Sequence, residues 1–245
     1  MKVLIKKERK IEDNGKIVKI FPQETHIINP EKDFQTRTYR IPKEKLKNQK
    51  FEHEKNQFLT IDLSEYEKIS SFKRGAQVIT PKDAGIIITK TGINTKSKVL
   101  DAGTGTGSLA AHLSLICQVT SVEKLQEHKD TAQKNLQGYN VKLITGDIYK
   151  LNLKEQFDVF TLDVAEPWKA YNTADKHLKI GGYLVVYCPQ ITQSQKTIIN
   201  LPENFIHEET IELIERSWKI TEKIVRPQTK DFQHTAFLTF IRKIN

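Results

Sequence analysis

Residues 99–109 read Val-Leu-Asp-Ala-Gly-Thr-Gly-Thr-Gly-Ser-Leu. The apolar start and Asp101 are typical of the end of a buried strand, and the last residues would open a helix. Gly103, Gly105 and Gly107 let the backbone turn tightly and let a ligand approach where a Cβ would clash. A dinucleotide-binding loop has the spacing G-x-G-x-x-G, and nothing in this loop demands a phosphate ligand. The turn predicts an α/β fold, and by itself it leaves a nucleotide-binding loop open as an alternative.

The sequence on both sides of this turn alternates between strand-like and helix-like segments from about residue 80. Apolar strand-like runs recur at 98–101, 118–122, 141–145, 157–162 and 182–188. Amphipathic helices such as Leu125 to Leu136 fill the gaps, which is typical of a parallel, doubly wound sheet. The tail differs, because the stretches 205–216, 219–226 and 234–242 are strand-like with little helix between them. These stretches predict an antiparallel hairpin at the C-terminal end of the sheet.

The first 65 residues have a different, mostly β pattern. Asn14-Gly15 is a strong hairpin turn, with Val3 and Ile5 on one side and the apolar residues of 17–20 on the other. We therefore predict a small N-terminal β domain over 1–65 and an α/β domain over 66–245. A linker around Ile69 to Arg74 would join them, and Thr80-Pro81 would start the first helix of the second domain.

Composition indicates where the protein works and leaves two interpretations of its charge open. The 245 residues carry 39 Lys and Arg against 30 Asp and Glu, a net charge of +9, and residues 1–60 supply +6 of it. Such a basic excess suggests nucleic acid, although a lysine-rich solvated surface is the alternative. No apolar run would span a membrane or form a signal peptide, so a cytoplasmic location is expected. Cys117 and Cys188 are expected to be inert thiols, and the histidines have no metal-ligand spacing.

Acidic residues stand at the ends of consecutive predicted strands. Glu123 ends the second strand, Asp147 follows the third and Asp163 follows the fourth. Ligands of doubly wound sheets bind beyond the carboxyl ends of the strands, so these carboxylates are expected to meet at one site. The stretch from Asp163 to Trp168 is unusual. Pro167 there could start a helix and Trp168 could be a core aromatic.

Four motifs carry a resemblance to a known family. The turn at 101–109 resembles the first motif of class I S-adenosylmethionine (SAM) methyltransferases. Residues 74–83, Arg-Gly-Ala-Gln-Val-Ile-Thr-Pro-Lys-Asp, resemble the entry motif of the tRNA (adenine-N1)-methyltransferases that modify the T-loop adenine. The stretch 162–168 resembles the family's L-D-x-x-x-P-W motif, and Arg226-Pro227 and 234–238 resemble its last signatures. The loop departs from the family in having Gly-Thr-Gly-Thr-Gly where a Ser is common.

The resemblance implies a Rossmann-like class I methyltransferase sheet, parallel with an antiparallel C-terminal hairpin, and a site that holds SAM and tRNA. Glu123 would bind the cofactor's ribose, Asp147 its adenine, and Asp163 would be the catalytic residue that meets the substrate base. Further cofactor contacts would come from Gln77, Gly103, Gly105, Thr106, Gly107, Ser108, Leu109 and His128. Substrate would meet Arg74, His234 and Thr235, with a structural role at a strand start as the alternative for His234. The family suggests a homotetramer. The alternatives are a methyltransferase of a small molecule, such as a precorrin, and a non-catalytic tRNA-binding subunit.

Overall fold

The N-terminal part of the computed structural model is built from short antiparallel strands. The structure describes residues 1–73, 78–222, 224–229 and 234–245, and contacts divide the chain into two units, Met1–Ser71 and Phe72–Asn245. The elements of the first unit are β1 (Lys2–Lys6), β2 (Arg9–Asp13), β3 (Lys16–Phe21), β4 (Glu24–Ile28), β5 (Phe34–Gln35), β6 (Arg40–Ile41), α1 (Lys43–Leu46), β7 (Lys50–His53), β8 (Asn56–Asp62) and α2 (Glu65–Ser70). A four-stranded sheet in the order β4-β1-β8-β7 covers a small core that includes Leu4, Ile41 and Phe58.

Two predictions for this unit need correction. Asn14 and Gly15 form the expected turn, with φ of 49° and 73°, but the turn joins β2 to β3. Val3 and Ile5 lie instead in β1, which pairs with β4 and β8, because the central strand of the sheet buries its apolar residues better than a projecting hairpin would. The second correction concerns the start of the predicted linker, because Ile69 and Ser70 are the last two residues of α2.

A capping box explains why α2 forms. The Ser64 hydroxyl accepts a hydrogen bond from the Glu67 N–H, and the Glu67 carboxylate accepts one from the Ser64 N–H at 2.8 Å. These two bonds satisfy backbone donors that would otherwise be left without partners at the helix start. The signature Ser-x-x-Glu was present in the sequence, and the linker interpretation overlooked it.

The second unit alternates strands and helices as predicted. Its elements are α3 (Pro81–Thr91), β9 (Lys98–Ala102), α4 (Ser108–Ser114), β10 (Gln118–Glu123), α5 (Gln126–Asn135), β11 (Val141–Thr145), β12 (Phe157–Leu162), α6 (Tyr171–His177), β13 (Leu178–Cys188), α7 (Ile191–Ile199), β14 (Phe205–Glu212), β15 (Trp218–Ile220), β16 (Val225–Pro227) and β17 (Phe237–Lys243). Pro81 is the first residue of α3, as predicted. The Thr80 hydroxyl donates to the Asp83 carboxylate at 2.8 Å and makes no cap to a backbone N–H.

The main sheet has the strand order β11-β10-β9-β12-β13-β17-β14. The pairs from β11 to β13 are parallel, and β17 is antiparallel to both of its neighbours, β13 and β14. This arrangement confirms the predicted fold class. The C-terminal part differs from the prediction in one respect. The stretch 219–226, predicted as one strand, belongs to a separate small hairpin formed by β15 and β16.

The core of this unit lies on the central strands and positions their carboxyl ends. Leu100, Phe160, Leu184 and Ile241 are all fully buried, on four adjacent strands. Among the described residues, no helix is long and apolar enough to cross a membrane. The order of the sheet brings the ends of β9, β10, β11 and β12 to one edge, where the strand-end acids were predicted.

Candidate active site

A cavity of about 540 Å³ lies at the carboxyl edge of the sheet. Its lining contains Gly103, Gly105, Val122, Glu123, Lys124, Leu125, His128, Gly146, Asp147, Ile148, Tyr149, Asp163, Val164, Ala165 and Glu166. Six residues predicted for the site are therefore brought together: Gly103, Gly105, Glu123, His128, Asp147 and Asp163. The cavity has the size of a small-molecule site, and its position at the end of a doubly wound sheet is where such sites occur.

The glycine-rich turn adopts a backbone that other residues rarely take. The φ angles of Gly103, Gly105 and Gly107 are 87°, 56° and 86°. A Cβ on Gly103 would lie 2.0 Å from the carbonyl oxygen of Asp163, and one on Gly107 would lie 2.9 Å from Cγ of Leu136. Glycine at 103 is therefore required by the close approach of the Asp163 backbone as well as by its φ.

Asp101 lies inside the sheet and acts as a structural acid. Its two carboxylate oxygens accept hydrogen bonds from the hydroxyls of Ser121, at 2.6 Å, and Thr161, at 2.7 Å. Burial raises the pKa of Asp101 against the opposing effect of these two hydroxyls. The side chain therefore ties β9 to both of its neighbouring strands just below the glycine turn.

Glu123 is buried at the end of β10 and is held by backbone donors. One carboxylate oxygen accepts the Gly105 N–H at 3.0 Å, and the other accepts the Leu125 N–H at 2.9 Å. His128 Nδ1 lies 3.9 Å from Glu123 Oε1. Because each carboxylate oxygen can accept more than one hydrogen bond, Glu123 keeps acceptor capacity on the cavity side while the turn fixes its position.

Asp147 follows β11 and is paired with a residue that the sequence did not single out. Its carboxylate accepts the Tyr149 N–H at 3.1 Å and lies 3.1 Å from Lys124 Nζ. The hydrogen bond from Lys124 holds the pKa of Asp147 below its usual range, and the Tyr149 N–H acts in the same direction. The carboxylate is therefore kept ionised at the mouth of the cavity.

Asp163 follows β12 and lies in a strongly perturbed environment. Its N–H donates to the Ala102 carbonyl at 2.9 Å, which holds the start of the loop against β9. Burial, followed by the charges of Asp101 and Glu123, raises the pKa of Asp163 to about 7. Its carboxyl has no hydrogen-bond donor among the described residues. A carboxyl with a pKa near neutrality in a cavity is a candidate for acid–base chemistry.

The rest of the Asp163 loop is fixed by α7. Pro167 starts a short 3₁₀ helix, and Trp168 packs against the core of the unit, as the sequence suggested. Lys196 Nζ lies 4.1 Å from the centre of the Trp168 ring, a cation–π contact. Gln193 Nε2 donates to the Ala165 carbonyl at 3.3 Å. These contacts hold the loop that forms one wall of the cavity.

Several predicted residues lie away from the cavity. Thr106, Ser108 and Leu109 are buried at the start of α4, and the Ser108 hydroxyl donates to the Ile79 carbonyl at 3.2 Å. Their direct cofactor contacts, and that of Gly107, stay predictions. Arg74 and Gln77 lie outside the described residues.

His234 and Thr235 lie just before β17 at the same edge of the sheet. His234 Nδ1 is 2.5 Å from a Glu212 carboxylate oxygen, and Nε2 is 3.0 Å from the Pro189 carbonyl oxygen. The Pro189 carbonyl, followed by Glu212, raises the pKa of His234. Thr235 contacts residues of α3, and neither residue lines the cavity.

Sequence reasoning missed the apolar part of the lining. Leu125, Ile148 and Tyr149 follow predicted strand ends directly, so their position was a usable signal. Because the prediction rested on acidic residues alone, it left out the neighbouring apolar and aromatic side chains that would cover a ligand.

Comparisons with known proteins point to a single family. Residues 68–228 match the family described as tRNA methyltransferase complex GCD14 subunit. The chain is 31% identical over 225 residues to the tRNA (adenine(57)-N(1)/adenine(58)-N(1))-methyltransferase TrmI of Methanocaldococcus jannaschii, covering 78% of this chain and 80% of that protein.

Solved structures agree with this match. The structure of tRNA (m1A58) methyltransferase TrmI from Aquifex aeolicus matches with a TM-score of 0.80 and 28% identity, covering 100% of this chain and 97% of that one. A SAM-dependent O-methyltransferase from Thermotoga maritima matches with a TM-score of 0.83 and 24% identity, over 100% and 93% of the two chains, and supports the fold alone. Because the family model matches more than half of the chain, and the Methanocaldococcus jannaschii protein is 31% identical to it over 225 residues, the chain belongs to the GCD14 family of tRNA methyltransferases.

Proposed function

We propose that the chain transfers a methyl group from S-adenosylmethionine to N1 of an adenine in the T-loop of tRNA. The observation that carries the proposal is the meeting of Glu123, Asp147 and Asp163 with the glycine turn in one cavity. The relatives named above support the choice of tRNA adenine as the substrate.

The donor set of the cavity fits S-adenosylmethionine. Gly103 and Gly105 present backbone without side chains, and Glu123 offers acceptor capacity suited to the two ribose hydroxyls. Asp147 is ionised and can accept a hydrogen bond from the exocyclic amine of the cofactor's adenine. Leu125 and Ile148 supply apolar surface for the ring. When bound, the cofactor supplies an activated methyl group on a sulfonium centre.

Asp163 is the proposed catalytic residue, and it would contact the substrate base at one end of the cavity. The lone pair of adenine N1 is the nucleophile, so the attack itself needs no strong base. Methylation leaves a positive charge on the base, and a carboxylate beside the exocyclic amine would hold the ring and stabilise this charge. Its raised pKa also suits Asp163 to accept a proton from the amine afterwards.

Access to N1 requires the nucleotide to leave its stack, because N1 lies on the pairing edge of the base. The net charge of +9 suits a tRNA substrate that is held through its phosphates and shape. We also propose that the protein acts in the cytoplasm and that it forms a homo-oligomer. The resemblance to the family suggests a tetramer. Mass photometry of the purified protein would determine the oligomeric state.

The direct test is incubation of the purified protein with SAM labelled in its methyl group and an unmodified tRNA transcript. Digestion should release labelled 1-methyladenosine, and a transcript with guanine in place of the T-loop adenines is the matched control. The relatives' names mention position 58 alone or both 57 and 58, so the stoichiometry would show which applies here. SAM binding without transfer to tRNA would favour a small-molecule substrate, and absence of SAM binding would favour a non-catalytic subunit.

A further inference from the structure

A second polar cluster is buried at the start of α3, where this helix contacts the residues just before β17. Asp83 is fully buried, and its Oδ2 accepts hydrogen bonds from the hydroxyls of Thr80 and Thr235, both at 2.8 Å. Its Oδ1 accepts a hydrogen bond from Lys82 Nζ at 2.7 Å. The carboxylate therefore joins the first turn of α3 to a residue that follows it in sequence by 152 positions.

Lys82 closes this cluster into a ring. Its Nζ also donates to the Thr235 hydroxyl oxygen at 2.6 Å, and its side chain is only 12% exposed. Thr235 thus donates its single O–H to Asp83 and accepts from Lys82, which fixes the rotation of its hydroxyl. The neighbouring His234 is held independently by Glu212 and the Pro189 carbonyl.

Tyr187 connects this ring to the proposed catalytic end of the cavity. In the sheet Leu162 lies opposite Val186, so the residues that follow, Asp163 and Tyr187, lie at the same level. The Tyr187 hydroxyl is buried and interacts with Thr235 without reaching normal hydrogen-bond geometry. Burial raises the pKa of Tyr187, and the charges of Asp83 and Asp163 raise it further, so this hydroxyl is within electrostatic range of both carboxylates.

Stability alone is a weak reason for an ion pair in this place. Two buried charges lose their hydration, and a well-packed apolar pair is often at least as stable. In some proteins, a buried and fully bonded pair instead fixes a single arrangement of its partners. The other end of α3 offers a contrast, since Lys90 and Glu209 form a more exposed pair at 2.6 Å between α3 and β14. That pair also joins α3 to the sheet, but it contacts no residue of the site.

We propose that Lys82 and Asp83 are positioning residues that hold Thr235 beside Tyr187, at the level of Asp163 in the sheet, as a fixed part of the surface against which the target adenine is placed. The proposal rests on the function proposed above. It assigns a task to Lys82 and Asp83, the last two residues of the 74–83 motif, and to the buried contact between that motif and the 234–238 motif.

The test compares four variants in tRNA methylation. Thr235→Val removes the hydroxyl at nearly constant volume, and Thr235→Ser keeps it. Lys82→Met/Asp83→Asn removes both charges without leaving one of them unpaired, and Lys90→Met is the matched control. We expect Thr235→Val and the double variant to lower kcat by about 10- to 100-fold, as small misplacements of reacting groups do. Affinity for SAM should stay within about twofold of the wild-type value, because the ring makes none of the contacts proposed to hold the cofactor.

Thr235→Ser should recover most of the activity, and Lys90→Met should behave as wild type. Hydrogen exchange of the peptide 234–240, which contains Thr235 and the start of β17, should become faster in the double variant and stay unchanged in Lys90→Met. Unchanged kcat in Thr235→Val, or unchanged exchange of this peptide in the double variant, would overturn the positioning role. Failure of the wild-type protein to methylate tRNA would contradict the proposed function instead, and the exchange measurement would still decide whether the ring holds Thr235.

Discussion

Replacement of Asp163 by Asn should stabilise the protein above neutral pH while it removes activity. In the folded protein the pKa of Asp163 is raised from 3.8 to about 7, by burial first and then by Asp101 and Glu123. Below about pH 3 the carboxyl is protonated in both the folded and the unfolded chain, so it has no pH-dependent effect. Between pH 4 and 7 the unfolded chain releases the proton first, and the stability of the wild-type protein therefore falls as pH rises.

The size of this effect follows from the two pKa values. The difference between 3.8 and about 7 corresponds to about 4 kcal/mol of unfolding free energy. Solvent at the cavity mouth screens part of the charge, so about 2 to 4 kcal/mol is the expected loss above pH 7. Asparagine has nearly the same shape and cannot ionise, so Asp163→Asn should lack this loss.

Urea unfolding of the wild type and of Asp163→Asn between pH 4.5 and 8.5 would measure the difference. The gap in free energy should grow with pH and become constant above about pH 7.5. Asp158→Asn is a control of opposite sign. Although burial raises the pKa of Asp158, Lys179 and the Lys98 N–H lower it below its usual range, so its ionised form stabilises the fold throughout this pH range and Asp158→Asn should lower stability by a nearly constant amount. If the unfolding free energies of the wild type and of Asp163→Asn changed in parallel with pH, the reasoning would be refuted.

The same variant tests the chemistry. The amide introduced by Asp163→Asn could still accept a hydrogen bond from an amine, but it could neither carry the negative charge nor take the proton, so kcat should fall by about 100-fold or more. In the wild type, activity should rise with pH through about 7 as the carboxyl ionises. Near-normal turnover of Asp163→Asn, together with its higher stability, would show that the ionisation of Asp163 has no role in catalysis.

Three further predictions concern the cofactor turn and the tRNA surface. Gly103→Ala places a Cβ 2.0 Å from the Asp163 carbonyl oxygen, so calorimetry should show loss of SAM binding together with a lower Tm, and unchanged affinity would contradict the required close approach. Glu123→Gln sets an amide NH₂ against the N–H of either Gly105 or Leu125, so the Kd for SAM should rise by about 10- to 100-fold. Equal affinities of the variant and the wild type for SAM would contradict this role of Glu123. Affinity for tRNA should fall by about 10³-fold or more between 50 and 200 mM salt while SAM affinity hardly changes, and a flat response for tRNA would argue against binding through phosphates.

Local patterns were sufficient for the architecture of the second unit. Short apolar runs that end in Asp101, Glu123 and Thr145 are each bounded by turn residues, so strand ends could be located within a residue or two. Once the sheet is parallel, its topology alone brings these ends to one edge. That is why the sequence alone was enough to predict that Glu123, Asp147 and Asp163 share a site.

Features that depend on long-range packing could not be predicted in this way. Nothing in the spacing of Asp83 and Thr235 indicates that they share a hydrogen bond, because it forms only after β17 pairs with β13. The raised pKa of Asp163 likewise arises from its burial and from charges on two other strands. In the first unit the error over Val3 had the same origin, since an apolar strand can satisfy a hairpin pattern and still pair with partners far along the chain.

The position of β17 has a consequence for synthesis of the protein. The strands β11, β10, β9, β12 and β13 are contiguous in the sheet and are translated first, whereas β14 joins them only through β17, which is made later. Until translation has passed Lys243, the nascent chain carries an open edge on β13, a surface that pairs readily with other chains. The emerging polypeptide therefore assembles the cavity half of the sheet before it can close this edge. Rapid docking of β17 on leaving the ribosome would protect the chain from aggregation and would bring Thr235 to Lys82 and Asp83 in the same event.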